Sequence, residues 1–172
     1  MRTAGAEIVA VAARPVRVAM REPFAIAGGS SAELETVFTR VKLVDGSIGH
    51  GEASPFPAFN GETSSKSLRQ ILRAGKKWLG RAAAAGRTRL EELEQDLPRH
   101  GGAARAALGM ALLDAWTRRA GMPLRTLFGG ACDRVVSDVT VTLGDEAAAF
   151  AAASRIRALG VRIVKIKIGY TP

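Results

Sequence analysis

From Ser137 to Ile168 the chain passes from a β-branched run (SDVTVTL) through an alanine-rich stretch closed by Gly160 into a second β-branched run (VRIVKIKI). Strand, helix and strand in that order form a βαβ unit. Its strands pair in parallel, because the helix carries the chain back across the sheet in a right-handed crossover. Asp145 stands where the intervening helix needs an N-cap. This end of the chain is therefore restricted to an α/β arrangement, in which a parallel strand is buried on both faces.

The residues before position 130 follow another pattern. Ile8 to Val18 is rich in valine and reads as a strand. Residues 21–32, with Pro23, Gly28 and Gly29, read as a mobile loop. Thr36 to Val44 alternates, with Val37, Val41 and Leu43 on one face. Asp45-Gly46 predicts a two-residue hairpin turn into a return strand over Ile48 to Ala53. A second loop, Ser54 to Gly61, follows. One helix is predicted from Thr63 to Leu79, with Gly80 as its C-cap. Thr88 and Glu91 have capping-box spacing and predict a short second helix. A third, over Ala103 to Ala120, carries Leu108, Ala111, Leu112, Ala115 and Trp116 at helical spacing, and Gly121 closes it. Pro123 suits the first turn of a short helix ending near Gly129-Gly130. The expected architecture is an α+β domain over 1–130, a three-stranded antiparallel sheet plus helices. A first βαβ unit of a parallel-sheet domain follows over 131–172.

Composition excludes several classes. Hydrophobic residues at 47% and charged residues at 24% describe a globular chain rather than a disordered one. No apolar run approaches the ~20 residues of a membrane span, and Met1 to Ala10 lacks the apolar core of a signal peptide. A single cysteine, Cys132, forms no internal disulfide, which fits a reducing cytoplasm. Most of the excess behind the net charge of +9 comes from arginine scattered through the chain; the exception lies between Glu62 and Glu91, where Lys66, Arg69, Arg73, Lys76, Lys77, Arg81, Arg87 and Arg89 meet no acid. Of these, Lys66, Arg69, Arg73 and Lys77 are spaced as a stripe on one helix face. Two readings stand: a non-enzymatic basic binding module for phosphate groups, or a solvated face opposite Leu68, Ile71, Leu72, Trp78 and Leu79. The charges include no aromatic platform, which favours the solvated face, with no nucleic acid and no membrane as partner.

The residues with chemical potential lie in VRIVKIKI. Val164, Ile166 and Ile168 point one way, and Ile163, Lys165 and Lys167 the other. Two lysines near the C-terminal end of a parallel strand sit where charge is costly unless it is used. The C-terminal ends of β/α-barrel strands hold active sites. Lysines at i and i+2 lie roughly 6.5–7 Å apart along a strand. Repulsion and partial burial both act to lower a lysine pKa from its reference of ~10.4, and a neutral amine is a general base. On its own, Lys-x-Lys is also compatible with an exposed edge strand.

The segment ARAALGMALLDAWTRRAGMPLRTLFGG (Ala104 to Gly130), then SDVTVTL and VKIKIG, resembles the enolase superfamily in its muconate-lactonizing branch. GHGEASPFP (Gly49 to Pro57) and EPFAIAGGS (Glu22 to Ser30) resemble the dipeptide epimerases of that branch. The resemblance implies a capping domain whose two loops close over a (β/α) barrel, incomplete in this chain since a full barrel needs ~250 residues. It implies that Lys167 removes the proton α to a carboxylate or carboxamide and that Lys165 assists electrostatically. It also implies Mg²⁺ held by carboxylates on later strands, a second lysine there for the opposite face, and a homo-oligomer. Phe24, Ile26, Gly28, Phe56, Phe59, Thr140 and Thr142 are expected to line a small-molecule, dipeptide site. No metal ligand is expected among these residues: Asp138 is at the wrong end of its strand, Asp114 in a helix and Asp133 in a loop. A cycloisomerase or an o-succinylbenzoate synthase-like dehydratase of the same superfamily would share Lys167. Ala27-Gly28-Gly29 stands where epimerases acting on Ala-Glu often carry an arginine, so preference for a glutamate-containing dipeptide is not expected. His50, Glu52, His100 and Cys132 are read as structural or surface residues.

Overall fold

The computed structural model describes residues 5–26, 29–83, 95–96, 101–130 and 132–169, with the backbone alone at 22, 24–26, 29 and 30. The elements are β1 (Ile8–Ile26), β2 (Gly29–Leu43), β3 (Ile48–Ala53), α1 (Pro57–Asn60), α2 (Ser64–Trp78), α3 (Gly102–Arg119), α4 (Leu124–Leu127), β4 (Val139–Val141), α5 (Glu146–Ala158) and β5 (Val164–Ile166). The chain divides into two compact units, one of Met1–Val18 and Glu35–Ala131, the other of Ala19–Leu34 and Cys132–Pro172.

The first unit is built on the sheet β1-β2-β3. Strands β2 and β3 pair antiparallel, from Val37 opposite Ala53 to Lys42 opposite Ile48. Consecutive paired strands with no crossover between them must also run antiparallel, which fixes β1 against β2. The alternation of β2 delivers Val37, Val41 and Leu43 to the core together with Ile71 and Trp78 of α2 and Leu108 and Leu112 of α3.

Helix α3 packs along β3. Its Ala104, Ala107, Ala111 and Ala115 are buried, three or four residues apart and so on one face. Opposite them, a Cβ on Gly49 would stand 2.0 Å from the Ala111 carbonyl oxygen, and one on Gly51 2.0 Å from that of Ala107. Here helix backbone meets strand backbone, and no side chain larger than hydrogen fits between them. Asp114, on the same helix, accepts a hydrogen bond from the His50 backbone N–H at 2.9 Å and pairs with Arg118 at 2.9 Å. It thereby satisfies an edge-strand donor that no neighbouring strand reaches. Glu52 is structural as expected, accepting from the Thr36 hydroxyl at 2.7 Å.

Helix α2 is N-capped by Thr63, whose Oγ1 accepts from the Lys66 N–H at 3.3 Å, and Gly80 beyond its end has φ +78°. Ser64 Oγ donates to Glu35 at 2.8 Å, and Arg17 pairs with the same carboxylate at 2.6 Å, joining the start of α2 to β1 and β2. Asp96 receives Lys77 Nζ at 3.0 Å, Trp78 Nε1 at 3.1 Å and Arg81 at 3.5 Å. The helix expected from Thr88 and Glu91 lies outside the described residues.

Three expectations need correction. The segments 21–26 and 29–32 are strand, not loop: β1 and β2 run on to Ile26 and from Gly29. Pro15 and Pro23 lie in β1, at the edge of the sheet, where a missing N–H can face away from the ladder. The β2–β3 turn is longer than two residues, since the Leu43 N–H donates to the Ser47 carbonyl at 2.8 Å; Asp45 Oδ1 accepts from the Ser47 N–H within it. Leu72 and Leu79 are 39% and 50% exposed rather than buried.

In the second unit β4 and β5 pair in parallel, and α5, capped by Asp145 Oδ1 accepting from the Ala148 N–H at 2.8 Å, packs on β4. Val141 and Ile156 are buried there.

Candidate functional site

The parallel ladder sets Val139 beside Val164, Thr140 beside Lys165 and Val141 beside Ile166. It continues past the strand ends: the Val139 N–H donates to the Ile163 carbonyl at 3.3 Å and the Lys167 N–H to the Val141 carbonyl at 3.1 Å. Partners in register share a face, and alternation carries that face two residues onward. Thr140, Thr142, Lys165 and Lys167 therefore form one patch of two hydroxyls and two amines toward the C-terminal ends of both strands. Thr140, Thr142 and Lys167 are half-buried, while Lys165 is exposed. Opposite lies the apolar face, where cover is incomplete: Val164 is 37%, Ile166 60% and Ile168 89% exposed. Helix α5 packs on β4.

The apolar candidates divide. Phe56, the residue before α1, is 41% exposed, and Phe59 within α1 is 84% exposed. Phe24 and Ile26 belong to the β1 backbone; their side chains, and Gly28, lie outside what is described. His50 is exposed, with its ring Nδ1 3.7 Å from Asp114, Cys132 is exposed, and His100 lies outside the described residues.

Among the described residues no group of three or more His, Cys, Asp or Glu side chains could hold a metal ion. These residues therefore do not fit a magnesium site of their own. None of the described helices is long and apolar enough to cross a membrane. On α2, Lys66, Arg69 and Arg73 are exposed, whereas Lys77 is engaged by Asp96; Arg87 and Arg89 lie outside the described residues. One carboxylate was not singled out from sequence. Glu62 is 5% exposed, and its only sequence mark is its place between Asn60-Gly61 and the Thr63 cap.

An antiparallel sheet backed by helices, leading into parallel strands with amines toward their C-terminal ends, defines the class: an α+β domain joined to the start of a β/α domain. The chain belongs to the mandelate racemase / muconate lactonizing enzyme family, whose N-terminal domain it matches over residues 8–129. It is 41% identical over 160 residues to an aromatic dipeptide epimerase from Herpetosiphon aurantiacus, covering 93% of this chain and 45% of that protein. Among solved structures it resembles a mandelate racemase/muconate lactonizing protein from Herpetosiphon aurantiacus, with a TM-score of 0.89 at 39% identity over 95% of this chain and 46% of that one. It also resembles a dipeptide epimerase from Enterococcus faecalis complexed with Mg and the dipeptide L-Leu-L-Tyr, with a TM-score of 0.86 at 26% identity, covering 95% of this chain and 46% of that one. The chain thus spans about half the length of the relatives it matches.

Proposed function

We propose that the whole protein to which these residues correspond is a Mg²⁺-dependent dipeptide epimerase favouring apolar or aromatic dipeptides, with Lys167 as one of its two proton-transferring bases. The observation that carries the reading is the amine and hydroxyl patch on β4 and β5, in a chain 41% identical to an aromatic dipeptide epimerase. In this reading the Lys167 amine takes the proton from the α-carbon of one dipeptide residue. The electron pair of the broken C–H bond moves into the adjacent carbonyl, and a proton returned to the opposite face inverts the centre. One base on each face is required, because a single base would return the proton where it found it. Lys165 places a second cation beside the developing negative charge, and Thr140 and Thr142 offer hydroxyls on the same face. Magnesium supplies Lewis-acid stabilisation of the enolate when bound; its ligands are to be sought outside these residues. Phe56 and Phe59 provide apolar contact, and Ala27-Gly28-Gly29 offers no cation for a glutamate side chain.

In the full-length protein, Lys167→Ala is expected to slow exchange of the substrate α-proton with deuterated solvent about 10²–10⁴-fold from at least one epimer, with folding retained. Lys165→Ala is expected to slow it less. A dipeptide panel should give higher kcat/KM for neutral and apolar second residues than for Glu. Normal exchange from both epimers in Lys167→Ala would remove it from the role of base, and a clear preference for Ala-Glu would refute the apolar specificity.

A further inference from the structure

We propose that Glu62 is a positioning residue: its buried carboxylate ties the Phe56–Asn60 turn to the start of α3 and so fixes where Phe59 meets an apolar substrate side chain. The proposal rests on the dipeptide reading above and assigns its selectivity to a residue that touches no substrate.

Four hydrogen bonds carry the argument. Glu62 Oε2 accepts from Asn60 Nδ2 at 3.1 Å and from the Ala103 N–H at 3.2 Å, Oε1 lies 3.4 Å from that same N–H, and the Glu62 N–H donates to Asn60 Oδ1 at 3.1 Å. Buried carboxylates are costly unless bonded, and this one is bonded on two sides. On one side is α3, whose first-turn N–H groups lack partners within the helix. Gly101 supplies no side-chain cap there, so a carboxylate from forty-one residues earlier in the chain does so, where the helix dipole favours negative charge. On the other side is Asn60, the last residue of α1, gripped through both atoms of its amide. Gly61 between them takes φ +70° and donates its N–H to the Pro57 carbonyl at 3.0 Å. The turn that exposes Phe59 is thus held at its C-terminal end by Glu62, one residue beyond the glycine. A glutamine at 62 would keep the shape, but with its oxygen in the Oε2 position it would aim an NH₂ from the Oε1 position at the Ala103 N–H 3.4 Å away, setting donor against donor and removing the negative charge from the start of α3.

The test uses the full-length protein with Mg²⁺ present, comparing L-Ala-L-Phe with L-Ala-L-Ala by deuterium exchange at the α-carbon. Glu62→Gln is expected to lower kcat/KM for L-Ala-L-Phe about tenfold, through KM, with a much smaller change for L-Ala-L-Ala. Amide exchange at Phe59, Asn60 and Gly61 should quicken while that of β2 stays slow. In a Phe59→Ala background the Glu62 substitution should alter selectivity no further. Should Glu62→Gln fail to fold, Asn60→Ala cuts the same tie from its exposed side and must give the same selectivity loss. Equal losses for both dipeptides, a loss in kcat alone, or additive effects in the double variant would overturn the proposal while leaving the epimerase reading intact. Absence of turnover with either dipeptide in the unsubstituted protein would remove both.

Discussion

In the unit formed by the sheet and its helices, Val37, Val41, Leu43, Ile71, Leu108 and Leu112 are at most 1% exposed. Within 132–169, Val141 and Ile156 are the buried apolar residues, while Ile163, Val164, Ile166 and Ile168 range from 37% to 89% exposed. The residue types are alike, so composition does not explain the difference. An antiparallel sheet can leave one face to solvent and bury the other under helices contributed by the same stretch of chain. A parallel strand requires cover on both faces and a neighbour on each edge. Strand β5 has β4 on one side, and α5 packs on β4.

The largest expected contrast is therefore energetic. Leu108→Ala should destabilise the chain by about 2–5 kcal/mol, the usual cost of a core cavity, whereas Ile168→Ala should shift it by about 0.5 kcal/mol or less. Urea unfolding of the two variants of the 172-residue chain checks this, and equal losses would break the comparison. The next contrast is local. Backbone amides of β2 should exchange at least about tenfold more slowly than those of 162–168 in a monomeric sample. Strong protection of 162–168 in a demonstrated monomer would contradict the difference, whereas protection appearing with dimer formation would place a second copy on the β5 edge.

The smallest effect concerns acid. Burial acts to raise the Asp96 pKa, but hydrogen bonds from Lys77 and Trp78 and the charges of Lys77 and Arg81 outweigh it and hold the carboxyl below its ordinary value of 3.8. A lowered pKa means the unfolded chain binds more protons in that range, so the contribution is present above about pH 4 and lost as pH falls through the folded value. Asp96→Asn keeps an acceptor for Trp78 Nε1 and should flatten the acid limb of the stability curve by about 1 kcal/mol or less. An unchanged acid limb would show that the cluster adds no charge-dependent stability to the well-packed unit.

Much of the frame was legible because it depends on local chemistry. The Asp145 cap, the alternation at Val37, Val41 and Leu43, and the α3 stripe through Leu108 and Leu112 each depend on neighbours two to four positions away. The extension of β1 and β2 was not legible, because Pro23 and Gly28-Gly29 suggest a loop until the edge position of β1 is known. The meeting of Gly49 and Gly51 with α3, and the reach of Glu62 to Ala103, join residues far apart in sequence and leave no periodic trace. For the candidate site, Lys-x-Lys marked the strand, but only the register placed Thr140 beside Lys165.

The bare contact between β3 and α3 bears on how such a protein can change over generations. Because the spacing there is set by main chain against main chain, it does not depend on a matched pair of side chains that must alter in step. The turn that leaves β3, with Phe56 and Phe59, can accumulate substitutions while its platform stays at the same height. The cost falls on two sites: any replacement at Gly49 or Gly51 forces the helix away at once. On the dipeptide reading proposed above, a lineage built this way would explore new substrates through the turn and remain nearly immobile at the glycines beneath it.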